Sequence, residues 1–211
     1  MNWLTPVSTI YVVWLAWAVS WGLAAVWASG AQSRPGLGVE AAHRVVTLVG
    51  VVFLFLTASH QAQAPSAAVL RRIVVLPLPA PWTTPLWTLP EWAGWACVGL
   101  SIAGFAFAWW ARIHLGTLWS GSITRKADHH IVDTGPYGLV RHPIYTGLIA
   151  AALALLLVKA TPAACVGACL MSAGFWIKAR FEEGFLRKEL GAEVYDAYRK
   201  RVPMLVPFSP V

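Results

Sequence analysis

Long apolar runs alternate with short polar breaks along this chain, and the alternation predicts its architecture. Apolar runs that read as membrane spans cover about Ser8–Ala28, Ala42–Ala58, Trp92–Ala111, Pro143–Val158 and Ala163–Ile177. Ser29-Gly30 and Arg34-Pro35-Gly36 separate the first from the second. Ser59-His60-Gln61 closes the second, and Arg44 near its start can snorkel to the interface. Residues 59–91 contain Pro65, Pro77, Pro79, Pro81, Pro85 and Pro90, which exclude a regular helix through most of that stretch. Val69–Leu78 is apolar but short for a span, and reads as an interfacial segment. Trp82, Trp87, Trp92 and Trp95 put the end of this connection along the headgroup layer. Pro143 suits a first helical turn, where its missing N–H is no loss. Lys159-Ala160-Thr161-Pro162 reads as a tight reversal. From Lys178 to Lys200, charges alternate with Phe181, Phe185, Leu186, Leu190, Tyr195 and Tyr198, which predicts an amphipathic helix leaving the membrane, with Gly191 as an interruption.

The expected fold is therefore all-α: a polytopic membrane helix bundle of about five transmembrane helices with an amphipathic C-terminal helix. Residues 1–211 form one domain without an internal repeat. Residues 1–111 supply the N-terminal spans and the Pro/Trp-rich loop. Residues 112–211 supply a polar loop, a helical hairpin and the tail.

Composition agrees with this reading. The 211 residues are 58% hydrophobic and 12% charged, and the charged share is half of the roughly 25% usual for soluble domains. The net charge of +7 raises nucleic acid as a partner. Its distribution argues against that, because the basic residues cluster in Arg112–Arg141 and Lys178–Arg201, each beside an apolar run, and no nucleic-acid motif accompanies them. By the positive-inside rule both clusters face the cytoplasm and the N-terminus faces outward. No Lys or Arg precedes Arg34, so the first run lacks the basic flank of a cleavable leader and reads as retained. Cys97, Cys165 and Cys169 all lie in apolar runs and read as small buried hydrophobes.

The chemistry concentrates at one membrane edge. Gly135-Pro136-Tyr137-Gly138-Leu139-Val140-Arg141-His142-Pro143-Ile144-Tyr145-Thr146-Gly147 joins a turn to a helix start. Ionisable groups are costly there and need a reason. Arg141 and Tyr145 are four apart and His142 and Tyr145 three apart, so all three can meet near one helical turn. Glu182-Glu183 follows the fifth run and can hold a cationic group; the simpler alternative is surface pairing of Lys178 with Glu182 and of Glu183 with Arg187. No His, Cys, Asp and Glu set has metal-ligand spacing, His129-His130 included, so no metal is expected. No nucleophile elbow surrounds Ser120, and no dinucleotide-binding glycine pattern occurs.

Leu118-Trp119-Ser120-Gly121, His129-His130-Ile131-Val132 with Gly135-Pro136-Tyr137, and Arg141-His142-Pro143-Ile144-Tyr145-Thr146-Gly147 together resemble the isoprenylcysteine carboxyl methyltransferase family. Arg180-Phe181-Glu182-Glu183, then Gly191, Tyr195, Tyr198 and Arg201-Val202-Pro203, are similar to its C-terminal stretch. The resemblance covers about residues 115–205. It implies S-adenosylmethionine as methyl donor, S-adenosylhomocysteine as product, and a cofactor site at the cytosolic face. Carried onto this chain, it implies that His129, Ile131, Val132, Gly135, Pro136, Tyr137, Leu139, Arg141, His142, Pro143, Tyr145, Glu182 and Glu183 surround the cofactor. Ile131, Val132 and Leu139 would pack on the adenosine. Arg180, His142 and Glu183 are the catalytic candidates, with Arg180 positioning an anionic acceptor. The implied acceptor is a lipophilic or lipidated molecule such as a prenylcysteine-type carboxylate, met among membrane lipids in a bacterial inner membrane. Phospholipid amine methylation, small-thiol methylation and an NADPH-dependent sterol-type reductase are the alternatives.

Overall fold

The computed structural model describes residues 4–24, 37–57, 78–116 and 131–210, with residues 37–40 as backbone only. The readings placed on Trp119, Ser120, His60, His129, His130 and residues 69–77 lie outside the described residues. The described chain is helical: α1 Pro6–Leu23, α2 Leu37–Phe55, α3 Glu91–Leu115, α4 Pro143–Lys159, α5 Pro162–Leu190 and α6 Ala192–Arg199. A short helical turn covers Ala80–Thr83, and a 3-10 turn covers Gly135–Gly138.

Local chemistry explains where the helices begin and end. Thr5 and Ser8 form a capping box, and Pro6 follows at the first turn, so α1 opens slightly before the apolar run. Gly116, with φ +55°, ends α3 four residues beyond the expected end at Ala111. Left-handed Ala160 (φ 56°) ends α4, and Thr161 caps α5 by accepting a hydrogen bond from the Ala164 N–H, which makes the expected reversal. Helix α5 departs from expectation. It does not stop at Ile177 but runs 29 residues to Leu190, about 43 Å and well beyond a ~30 Å hydrocarbon layer. No breaker separates its apolar half from its charged half before Gly191 (φ +95°), so one rod carries both. The expected Lys178–Lys200 helix is thus two pieces, the charged extension of α5 and the eight-residue α6.

Among the described residues, α1 to α5 overlap the five apolar runs. Three of them, α1, α3 and α5, are long and apolar enough to cross a membrane. The apolar stretches of α2 (Ala41–Phe55) and α4 are shorter. Helix α2 packs chiefly on α5, α3 on α4, and α1 on α3. Small residues make the close contacts, as expected where lipid gives helices no hydrophobic drive to associate. A Cβ on Gly104 would stand 2.5 Å from the Gly147 carbonyl oxygen, and one on Gly50 would stand 2.8 Å from that of Gly167. Trp14, Trp17 and Phe105 stack edge-to-face and face-to-face between α1 and α3, with Phe55 against Trp14. At one end, Lys159 Nζ donates to the Leu54 and Thr57 carbonyls at 2.6 and 2.8 Å and so caps α2. At the other end, the starts of α4 and the charged half of α5 come together. Cys97 is buried as expected; Cys165 is half-buried, and Cys169 lies on the outer face instead.

Candidate active site

The Arg141-His142 pair is held from both sides. Pro136 and Tyr137 of the preceding turn are buried, and Pro143 starts α4 behind the pair. The C-terminal tail runs alongside. Arg141 N donates to the Pro203 carbonyl at 2.8 Å, and His142 N donates to that of Met204 at 3.1 Å. Thr146 Oγ1 donates to the Leu205 carbonyl at 2.6 Å. Tyr198 OH donates to the Tyr137 carbonyl at 2.7 Å, tying α6 to the turn. Tyr195, Tyr198 and Val202 form a small core of their own, on which Ile131 and Leu186 pack.

Two adjacent carboxylates of α5 meet this pair. Arg141 Nε donates to Glu183 Oε1 at 2.7 Å, and Arg141 Nη1 donates to the carbonyls of Arg199 and Val202. His142 lies between the acids, with Nε2 at 3.3 Å from Glu183 Oε1 and Nδ1 at 3.5 Å from Glu182 Oε2. Tyr145 OH donates to Glu182 Oε1 at 2.7 Å. The Tyr145 ring is stacked between His142 and Phe175, each centroid 5.5 Å away. Lys178 Nζ stands 3.9 Å from Glu182 and 5.3 Å from the Tyr145 ring centre. Arg199 Nε stands 3.6 Å from the outer oxygen of Glu183. Arg141, His142 and Glu183 are all buried.

The electrostatics follow from this geometry. Burial works against a charged His142, but hydrogen bonds and charge from Glu182 and Glu183 outweigh it and raise its pKa above the ordinary value. Both ring nitrogens face carboxylates, and only the imidazolium donates from both. Glu183 lies in the charged extension beyond the apolar half of α5. Burial raises its pKa, yet hydrogen bonds from His142 and Arg141 outweigh that and hold it down at about 2.

The expected surface pairs on α5 are half right. Lys178 pairs with Glu182, but Glu183 turns inward, and Arg187 instead holds Asp196 of α6 with a bidentate contact at 2.8–3.1 Å. Arg141, His142, Tyr145, Glu182 and Glu183 are brought together. Gly135 (φ +57°) and Tyr137 lie beside them under His114, whose ring stacks on Tyr137 and whose Nε2 is 2.9 Å from Thr134 Oγ1. Ile131 and Val132 are half-buried, and Leu139 is exposed. Arg180 is not brought to the cluster; it is exposed, with its guanidinium 5.8 Å from the Trp176 ring centre. Sequence reasoning gave Lys178 only a surface pair with Glu182, and passed over Arg199, Thr146 and the carbonyls of Arg199 and Val202–Leu205. The signal for Arg199 was the Tyr195/Tyr198 spacing, which turns α6 inward beside it.

Residues 97–188 match the isoprenylcysteine carboxyl methyltransferase family. The match takes in just under half of the chain, which is similar to that family over this segment. The matching segment takes in α4, most of α5 and all five clustered side chains. Methanethiol S-methyltransferase 2 of Bradyrhizobium diazoefficiens is 32% identical over 148 residues, 60% of this chain and 51% of that protein. Protein-S-isoprenylcysteine O-methyltransferase B of Arabidopsis thaliana is 29% identical over 87 residues, 41% of this chain and 44% of that protein. The chain spans about half the length of the curated relatives it matches.

Proposed function

We propose that this chain is a membrane methyltransferase that uses S-adenosylmethionine and methylates a lipophilic carboxylate of the prenylcysteine type. The observation that carries the reading is the junction of Arg141, His142 and Tyr145 with Glu182 and Glu183, inside the family-matching segment. The donor set fits the amino acid end of that cofactor. Glu182 beside the Tyr145 ring already receives the Lys178 ammonium, so its chemistry suits a ligand ammonium. Arg141, Lys178 and Arg199, with the His142 imidazolium, put four cations beside two carboxylates and leave room for a ligand carboxylate. When bound, the cofactor supplies a sulfonium-activated methyl group.

The protein's part is then mostly placement and water exclusion. Tyr145 and Phe175 wall the site, Glu182 and Glu183 orient the ligand, and His142 keeps the two acids in register. The protonation pattern bears on the acceptor. An imidazolium between two carboxylates is a poor base, and so is a carboxylate held at about 2. A nucleophile that arrives ionised, such as a carboxylate, suits such a site better than a thiol or amine. Arg180, exposed on Trp176, is the residue proposed to meet an anionic acceptor at the interface. The inferred orientation has the N-terminus outside and the cluster at the cytoplasmic face of a bacterial inner membrane, since both basic clusters lie on that side.

The longer match to a methanethiol S-methyltransferase favours a second reading, methylation of a small thiol. Transfer of labelled methyl from S-adenosylmethionine by purified protein separates the two. A farnesylcysteine-type acid should yield a base-labile methyl ester, and methanethiol should yield little product. Rapid labelling of methanethiol with none of the acid would replace the first reading with the second. Labelling of neither, with phosphatidylethanolamine also inert, would remove all three acceptors.

A further inference from the structure

The cluster contains more positive charge than its carboxylates need, and the cations are not equally committed. Arg141 is buried and spends Nε on Glu183 and Nη1 on two carbonyls, so it can release little without loosening the tail. Lys178 is mostly buried between Glu182 and the Tyr145 ring. Arg199 differs from both. Its side chain is 39% exposed, and its contacts are ion pairs at 3.6 Å to Glu183 and 3.8 Å to Asp196, both longer than hydrogen bonds. Its backbone is nonetheless fixed, because its carbonyl accepts from Arg141 Nη1 at 3.1 Å and α6 is anchored through buried Tyr195 and Tyr198. A guanidinium on a fixed backbone, at the rim of the site and without hydrogen-bonded partners among the described residues, is the member of the set able to take a new anion. Its planar fork matches a carboxylate.

We infer that Arg199 receives the carboxylate of the cofactor's amino acid end, while Arg141 acts as a positioning residue that holds Glu183 and the tail. The inference rests on the methyltransferase reading and deepens it. Arg199 lies outside the 97–188 family match, on the segment after Gly191. Glu183 then carries two cations on two sides: Arg141 within the bundle, and Arg199 at the mouth where a ligand enters.

Two ligands that differ only in the carboxylate test this. Isothermal titration of the detergent-purified full chain would use S-adenosylhomocysteine and its decarboxylated analogue, S-adenosyl-3-thiopropylamine. Arg199→Gln should weaken S-adenosylhomocysteine about tenfold or more and leave the analogue within about twofold. Arg199→Lys should recover part of the loss. Equal weakening of both ligands by Arg199→Gln would mean a structural role and overturn the inference. Unchanged binding of both would also overturn it. If Lys178→Gln shows the carboxylate-selective loss and Arg199→Gln does not, the carboxylate belongs to Lys178. Failure of wild-type protein to bind either ligand would bring down the methyltransferase reading along with this one.

Discussion

His142 is the residue on which the site's charge balance turns. It touches both glutamates, and each contact requires a proton on a different ring nitrogen. Its pKa is raised in the fold, so its stabilising contribution is complete below the ordinary histidine value and is lost as pH rises through the folded value. Glu183 has the opposite sign. Its pKa is held at about 2, so its contribution is complete above the ordinary carboxylate range and is lost as pH falls toward 2. Stability should therefore form a plateau from above pH 5 to the ordinary histidine value and decline from there through the raised folded value. His142→Asn should lower Tm on the plateau and abolish the alkaline decline attributable to this group. Thermal unfolding in detergent across pH measures both, and an unchanged alkaline limb would show that His142 does not carry it. Glu183→Gln should be the more damaging change, because it leaves Arg141 buried without its carboxylate. Breaking a buried pair in this way costs about 3–5 kcal/mol. The expected result is a large fall in Tm together with loss of S-adenosylhomocysteine binding, and wild-type values for both would contradict it.

At the scale of elements, the helix pairs depend on bare backbone contact. Gly104 and Gly147 bring α3 and α4 together with no space for a Cβ on either. Gly99, on the same helix, has nothing within 4 Å of its Cβ position. Gly104→Ala should force the pair apart and cost about 1–3 kcal/mol, the usual range for overpacking. Gly99→Ala should be neutral or slightly stabilising, because alanine favours a helix by up to about 1 kcal/mol over glycine. Chemical or thermal unfolding of the two variants side by side checks the contrast, and similar losses would mean that α3 and α4 are not packed as described. Hydropathy made the helices legible, since apolar runs and Pro/Gly breaks mark each of them. It could not show the pairing, which is carried by glycines that look alike in sequence: Gly104 is jammed and Gly99 is open. Nor could it show α5 continuing past Ile177. The change from apolar to charged looks like the end of a span, but a helix changes environment without changing backbone.

The whole molecule brings together residues from 37 to 61 positions apart, and this explains which parts of the site could be read. Arg141, His142, Tyr145, Glu182 and Glu183 were legible because they are ionisable groups at apolar boundaries. The tail was not, because it contributes through carbonyls that no residue type announces. Yet Arg141 N, Arg141 Nη1, His142 N and Thr146 Oγ1 all donate to carbonyls of Val202–Leu205. Removing residues 201–211 would leave the Arg141 and His142 backbone N–H groups without acceptors and take one acceptor each from Arg141 Nη1 and Thr146 Oγ1, beside a buried ion pair, at a cost of about 1–3 kcal/mol for each donor left unpaired where water cannot reach. The helix contacts of α2 with α5 and of α3 with α4 lie elsewhere and should survive. The truncated chain should therefore keep its helical circular dichroism, unfold at a lower temperature, and bind neither S-adenosylhomocysteine nor its decarboxylated analogue. That loss differs from the one expected of Arg199→Gln, which removes one anion contact and spares the analogue. A truncated chain that binds the cofactor product with full affinity would mean that Arg141 and His142 hold their places without the tail, and that α4 and α5 alone suffice to assemble the site.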